Sequence, residues 1–356
     1  MAADIVHCVS IESVSLVNLG PFESISLTMN PGINVFVGAN GSGKSILLKL
    51  MYAFVRSAQQ DRSSADRPQR LWDKAAGVLE PRSRNLSRVV RRRRGLTTGQ
   101  MVIEMDGGRW TTTIGPKNLT LEPHSDVESP HRAVFLPTKE MLSWYRGFAG
   151  LYRDSKLDLE ETYHDLAEDL SYPTKRAARP TPWDGISTHI RTSIGGPITV
   201  KDDEFVHKTR DGNIEATLMA EGHRKLGTLY HLVQNGRLES SSTLFWDEPE
   251  ANLNPSLMSD VVTLLGMLAA TGMQIFVATH DYAFARLLSL PAEFGRESNV
   301  SFHGFYRAPG RLGPALAVTA RDLFDLPHAA NLLPAGIDAV VEREAQFLVA
   351  ATAASR

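Results

Sequence analysis

Residues 34–54, NVFVGANGSGKSILLKLMYAF, run from an apolar stretch through a glycine-studded loop into a segment of helical periodicity. Within it, Gly38-Ala39-Asn40-Gly41-Ser42-Gly43-Lys44-Ser45 fits G-x-x-x-x-G-K-[ST], and the flanks supply the strand-to-helix context that this pattern needs. The glycines let successive N–H groups turn inward around phosphates, and a helix N-terminus adds its partial positive charge. Lys44 would carry a full charge to the outer phosphates, and the Ser45 hydroxyl would be a magnesium ligand. The expected contacts to the phosphate-bearing cofactor are Gly38, Asn40, Gly41, Ser42, Gly43, Lys44, Ser45 and Ile46. Ile46, Leu47, Leu50, Met51 and Phe54 then recur at helical spacing, which predicts a helix packed on one face.

Upstream, SIESVSLVNLGPFESISLTMNPGINVFVG alternates apolar and polar residues, with breaks at Gly20-Pro21 and Asn30-Pro31-Gly32. That pattern predicts two antiparallel strands and then a buried strand, Ile33 to Val37. Downstream, about Arg56 to Thr98 is polar and arginine-rich and reads as a mobile or inserted region. QMVIEMDGGRWTTTI predicts a hairpin turning at Asp106-Gly107-Gly108, and RAVFLP a buried strand. A helical stretch is expected over about Lys139 to Leu170, ending in the proline-rich SYPTKRAARPTPW; a second hairpin is expected over 197–219. Then come a helix from Gly222 to Gln234, the strand TLFWD, a helix from Ser256 to Ala270 and the strand QIFVATHD. Strands alternating with helices imply an α/β fold, its sheet largely parallel and covered on both sides.

TLFWDEPEANLNP (243–255) places two acids at the end of a buried strand. Carboxylates are not left unpaired in such a place, so a cation is the natural partner. Asp247 would hold magnesium, and Glu248 would orient or deprotonate an attacking water. Glu250 reads as structural or solvated. His280, at the end of the next strand, is placed to touch the terminal phosphate. About two hundred residues separate Lys44 from Asp247, so a large inserted lobe must lie between them. Ahead of Asp247, LMAEGHRKLGTLYHLVQNG opens a helix at Gly222 with Arg224 and Lys225 in its first turns, a second anion site suited to a nucleotide held by another subunit.

The order of phosphate loop, basic helix start, acid pair and histidine resembles the ATP-binding-cassette ATPases, and most closely their SMC/RecF/OLD branch. VNLGPFESISLTMNPGINVFVGANGSGKSILLKLMYAF is similar to the opening of RecF-like proteins. AEGHRKLGTLYHL and FWDEPEANLNP are similar to small stand-alone ATPases of bacterial anti-phage defence. The resemblance implies a mixed, largely parallel ABC-type sheet with an antiparallel N-terminal portion and an inserted helical lobe. It implies ATP and Mg2+ as cofactors and a homodimer that sandwiches two ATP molecules. Each ATP would lie between Lys44 and Ser45 of one copy and Gly222, with Arg224, of the other, and Glu248 would be the hydrolytic base. It also implies a separate nuclease or toxin effector. The expected divisions are 1–138 with the arginine-rich insert 56–98, an inserted lobe 139–220, the core part 221–330 and a helical tail 331–356. Two departures point to a slow switch: Ala220 stands where the resemblance implies a serine, and Lys139 and Glu140 stand where it implies a glutamine.

The net charge of −2 asks for no global polyelectrolyte partner, so any nucleic-acid contact must be local. Arg91, Arg92, Arg93 and Arg94 form the strong charge cluster, open to DNA or RNA phosphates, to an acidic protein, or to solvent as a poorly ordered arm. Trp144, Tyr145, Phe148, Leu151 and Tyr152 make an aromatic stripe suited to packing or to a partner interface. One cysteine, Cys8, allows no internal disulfide. No segment reads as a signal peptide or a membrane span, and a cytoplasmic setting is expected. Three functions remain open at this level: an ATP hydrolase acting as a switch on nucleic acid in repair or defence, the energy subunit of a transporter, and a scaffold with little turnover.

Overall fold

The computed structural model describes residues 10–58, 66–91, 95, 97–122, 132–154, 159–175, 182–202, 204–294, 299–307 and 315–326. Cys8, the tail 331–356 and three of the four clustered arginines, Arg92 to Arg94, lie outside them.

The phosphate-loop strand β3 (Ile33–Gly38) sits inside an eleven-stranded sheet. Its neighbours are β12 (Gln274–Thr279) and β13 (Val300–Arg307), both parallel to it. β11 (Thr243–Asp247) runs parallel between β12 and the edge strand β7 (Ala133–Leu136). Every residue of β3, β7, β11 and β12 is buried, as expected for parallel strands covered on both faces. Alternation sorts them: Val35, Val37, Leu244, Trp246, Ile275 and Val277 face one core, and Phe36, Phe245 and Phe276 face the other.

The other half of the sheet is a wing. β1 (Ile11–Leu19) pairs antiparallel with β2 (Phe22–Thr28) and with β4 (Gly99–Met105), and β4, β5 (Gly108–Ile114) and β6 (Leu119–Glu122) continue as a meander. The β4–β5 turn has Asp106 and Gly107 both at positive φ, the geometry of a two-residue hairpin. β14 (Ala315–Ala320) joins the wing to the parallel half through β2 and β13.

α1 (Lys44–Ala58) departs from the one-faced helix expected. Leu47, Leu48, Leu50, Met51, Tyr52, Ala53, Phe54 and Val55 are all buried, because α2 (Arg67–Leu79) packs along α1 in the same core, while α4 (Glu161–Ser171) meets α1 through polar pairs such as Tyr52–Asp165. Within 56–98, read as a mobile or inserted region, α2 is packed: Leu71, Ala75, Ala76 and Val78 are in the core beside α1. The helix expected over 139–170 is broken into turns, a short α3 (Phe148–Arg153) and α4. α5 (Trp183–Ile194) was not anticipated; it precedes a small sheet of β8 (Ile198–Lys201), β9 (Glu204–Thr209) and β10 (Gly212–Glu215). α6 (Glu221–Asn235), α7 (Pro255–Ala269) and α8 (Tyr282–Glu293) complete the second core. Within the aromatic stripe, Phe148 is buried and stacks on Tyr152, Tyr145 meets Phe205 edge-on, and Trp144 is exposed.

Candidate functional site

The loop after β3 is shaped by its glycines. A Cβ on Gly38 would stand 2.3 Å from the Phe305 carbonyl oxygen. At Gly43, φ is +104° and a Cβ would stand 2.4 Å from the Phe22 ring. Gly41 also has positive φ, but the space around it is open, so this part of the loop can admit a ligand. Lys44 is buried, and its ammonium donates to the carbonyls of Gly38 (2.5 Å) and Ala39 (3.1 Å). Burial lowers its pKa, against the opposing pull of Asp247, Glu248 and Glu250. The buried Ser42 hydroxyl has no protein partner. An orphan hydroxyl, an inward lysine and an open glycine turn fit a polyphosphate chain.

Next to the loop, Ser45 Oγ donates to Asp247 Oδ1 at 3.1 Å, which joins the helix start to the end of β11. Burial raises the Asp247 pKa, with Lys49 opposing. A hydroxyl and a carboxylate are hard oxygen donors of the kind magnesium takes together with phosphate oxygens and water. Among the described residues no group of three His, Cys, Asp or Glu side chains could hold a metal unaided. Glu248 turns the chain out of β11 with φ +50°, its N–H bonded to the Ala278 carbonyl of β12 (2.8 Å). Its Oε1 lies 2.9 Å from Nδ1 of His280. Lys44, Ser45, Asp247, Glu248 and His280 thus converge at the C-terminal ends of three adjacent parallel strands.

Glu250 is buried, as a structural role requires; Thr279 Oγ1 donates to its Oε1 at 2.5 Å, and burial raises its pKa. The same Thr279 hydroxyl accepts from the Asp281 N–H, so Glu250 ties the acid-pair loop to the segment carrying His280.

The basic helix start is organised differently from the expectation. Gly222 is buried, and a Cβ there would lie 3.0 Å from both Leu253 and Leu257. A side chain there would have to push both leucine ends back slightly, so the small residue suits close packing on α7. Arg224 was expected at a second subunit's phosphate; instead its guanidinium pairs with Glu140 (2.8 Å) and donates to the carbonyls of Met219 and Ala216. Lys225 is also turned inward, to the carbonyls of Ala251 (2.7 Å) and Glu248 (3.3 Å). Asn252 Nδ2 donates to Glu221 Oε1 at 2.8 Å, so the loop after the acid pair rests on the first residue of α6. Ala220 gives α6 no side-chain cap. Of the four clustered arginines only Arg91 is among the described residues: its side chain donates to the Pro21 carbonyl (2.8 Å) and its N–H to that of Asn18 (3.0 Å), bracing the β1–β2 turn.

Two family models match: "AAA domain, putative AbiEii toxin, Type IV TA system" over residues 121–286, and "AAA ATPase domain" over residues 10–98. A solved structure described as an SmcHead bound to the C-winged helix domain of ScpA superposes over 87% of this chain and 97% of that one, with a TM-score of 0.53 at 14% identity. The chain has an α/β P-loop fold like that of this SMC head domain. The DNA replication and repair protein RecF of Lysinibacillus sphaericus is 28% identical over 97 residues, 27% of this chain and 24% of its own length. That of Listeria welshimeri is 35% identical over 74 residues, 20% of this chain and 19% of its own. The chain therefore matches a quarter or less of these curated relatives. Among its described residues no helix is long and apolar enough to cross a membrane.

Sequence reasoning missed the buried Lys225 clamp, the Glu250–Thr279 bond and Lys49. The first two left a faint signal, a lysine and an acid inside otherwise buried segments.

Proposed function

We propose that the chain binds ATP with Mg2+, hydrolyses it slowly, and uses it to clasp two copies together as a switch for a separate effector. The supporting observation is the convergence of Lys44, Ser45, Asp247, Glu248 and His280 on one side, with the first turn of α6 tied through Asn252 and Lys225 to the acid-pair loop. The first-turn N–H groups of α6 have no side-chain cap, and they would meet the nucleotide of a second copy. Lys44 would leave the Gly38 and Ala39 carbonyls for the outer phosphates. Ser45 and Asp247 would hold magnesium, which would neutralise charge developing on the transferred phosphoryl group.

Glu248 would orient the attacking water and take its proton. Its carboxylate is already engaged by His280 Nδ1, which leaves Nε2 for the terminal phosphate. A base that must first leave a partner turns over slowly, which suits a switch. Nucleic acid is the proposed surface of action, by likeness to relatives described as DNA replication and repair proteins; the toxin–antitoxin description of one matching model supports a defence setting. The proposed divisions remain 1–138, 139–220, 221–330 and 331–356.

Glu248→Gln keeps the shape of the site and removes the base. It is expected to lower kcat about 10²–10⁴-fold and to leave an ATP-dependent dimer that is stable during gel filtration with light scattering. Should wild-type protein show no thermal shift with millimolar ATP and Mg2+, the nucleotide assignment is wrong. A Glu248→Gln protein that binds ATP yet stays monomeric would remove the two-copy clasp alone.

A further inference from the structure

Four parallel strands stand side by side in the order β13, β3, β12 and β11, and three of them carry the site at their C-terminal ends. The fourth, β13, ends in Arg307. Its register pairs Phe305 with Gly38, so Arg307 lies two residues beyond the point where β3 gives way to the phosphate loop. There its Nη2 donates to the carbonyl of Gly41 at 3.0 Å.

A trans peptide unit points its carbonyl and its N–H in opposite directions, so holding one end sets the other. The N–H opposite the Gly41 carbonyl belongs to Ser42, and it donates to the Ala39 carbonyl at 3.2 Å. That carbonyl is in turn gripped by the Lys44 ammonium. One chain of hydrogen bonds therefore runs from Arg307 through the Gly41–Ser42 peptide and Ala39 to Lys44. Packing does little to hold its middle: at Gly41, φ is +76° and a Cβ would meet nothing within 4 Å. The same peptide carries Ser42, whose buried hydroxyl has no protein partner.

We propose that Arg307 is a positioning residue of the phosphate loop. By fixing the Gly41 carbonyl it keeps the loop tip in its ligand-ready shape, and it goes on doing so when Lys44 leaves the Ala39 carbonyl for phosphates. Arg307 and Gly41 are both exposed, so their bond shapes the loop rather than supporting the fold. A loop already ordered in its binding shape loses less freedom when the ligand arrives, and the difference appears as affinity. Because Arg307 acts on the loop and not on the ligand, that difference is the same for ATP and ADP. A charged donor holds a carbonyl more firmly than a neutral one, so lysine should replace Arg307 better than glutamine does. The inference rests on the ATP reading above and adds to it a residue from the fourth strand.

The test is isothermal titration of ATP and of ADP, each with Mg2+, into the wild-type chain and into Arg307→Lys, Arg307→Gln and Arg307→Met. Arg109→Met, which removes another exposed arginine, is the control. Arg307→Met is expected to weaken both nucleotides about 10-fold, the low end of the range for a hydrogen bond involving a charged group. Arg307→Gln should lose less, Arg307→Lys should recover most of the affinity, and Arg109→Met should bind as wild type does. The melting temperature without nucleotide should be the same in all five. Should Arg307→Met bind no worse than Arg109→Met, Arg307 is an ordinary surface arginine. A loss for ATP but not for ADP would mean that Arg307 touches the terminal phosphate and does not position the loop. A ligand-free melting temperature that falls in step with affinity would make it a support of the fold instead. If the wild-type chain binds neither nucleotide, the nucleotide reading falls and this inference falls with it.

Discussion

Two lysines, Lys44 in the phosphate loop and Lys225 in α6, have almost the same surroundings and different jobs. Both are buried, both have pKa values lowered first by burial, and both grip main-chain carbonyls. Lys44 grips Gly38 and Ala39, the two residues that open its own loop, with the open Gly41 turn beside it. Lys225 grips Glu248 and Ala251, twenty-three and twenty-six residues away, in a loop where Gly222 is already closed against Leu253 and Leu257. The first set of bonds is local and beside open space, so phosphates can replace it. The second joins two elements inside packed surroundings and can only be broken at a cost in stability. A buried cation on carbonyls is a binding group in one setting and a clamp in the other, and the packing around it decides which.

The largest expected effect follows from the exchangeable lysine. Lys44→Met should weaken ATP binding about 100-fold or more, the worth of charge-assisted bonds to phosphate. The ligand-free protein should melt where wild type melts or slightly higher, since a desolvated charge has gone. Isothermal titration and a melting curve on the same sample check both parts. If ATP binding survives while ligand-free stability collapses, Lys44 is a clamp too and the contrast fails.

The segments legible in the sequence are those whose chemistry allows few alternatives. A phosphate loop needs glycine where a Cβ would strike Phe305 or Phe22, so β3 and α1 could be placed from spacing alone. β11 and β12 were legible because they are short and apolar between polar ends. α2 was hidden by its arginines, although Leu71, Ala75 and Val78 lie at helical spacing. α5 follows a proline-rich break, and β13 carries a polar His303 in its buried middle, so neither stood out. Charge was the least legible feature. Arg91, Arg224 and Lys225 look alike in sequence whether they face a ligand or a neighbouring carbonyl, and all three face inward.

A middle-sized effect belongs to the clamp. Lys225→Met leaves the Ala251 carbonyl without its lysine donor and the Glu248 carbonyl with the Ala251 N–H alone, which should cost about 1–3 kcal/mol of stability in a urea titration. ATP affinity should stay within a few-fold of wild type, and kcat should fall further than affinity because the loop carrying Glu248 has lost its anchor. A loss of ATP affinity as large as that of Lys44→Met would place Lys225 at the nucleotide and dissolve the distinction between the two.

The smallest effect is a pH dependence with a fixed sign. Burial lowers the Lys225 pKa in the folded chain below the ordinary 10.5. Between the lowered value and 10.5 the unfolded chain binds a proton that the folded chain does not, so this group makes stability rise with pH, by at most about 1.4 kcal/mol per unit. Below that window both states are protonated and the contribution is flat. Urea titrations of wild type and Lys225→Met from pH 7 to 10 should therefore run parallel at first and then diverge, the wild type gaining on the variant as pH rises. Parallel lines throughout would mean that Lys225 reaches water in the folded protein, and its carbonyl bonds would then be too loose to hold the Glu248 loop against the strand end.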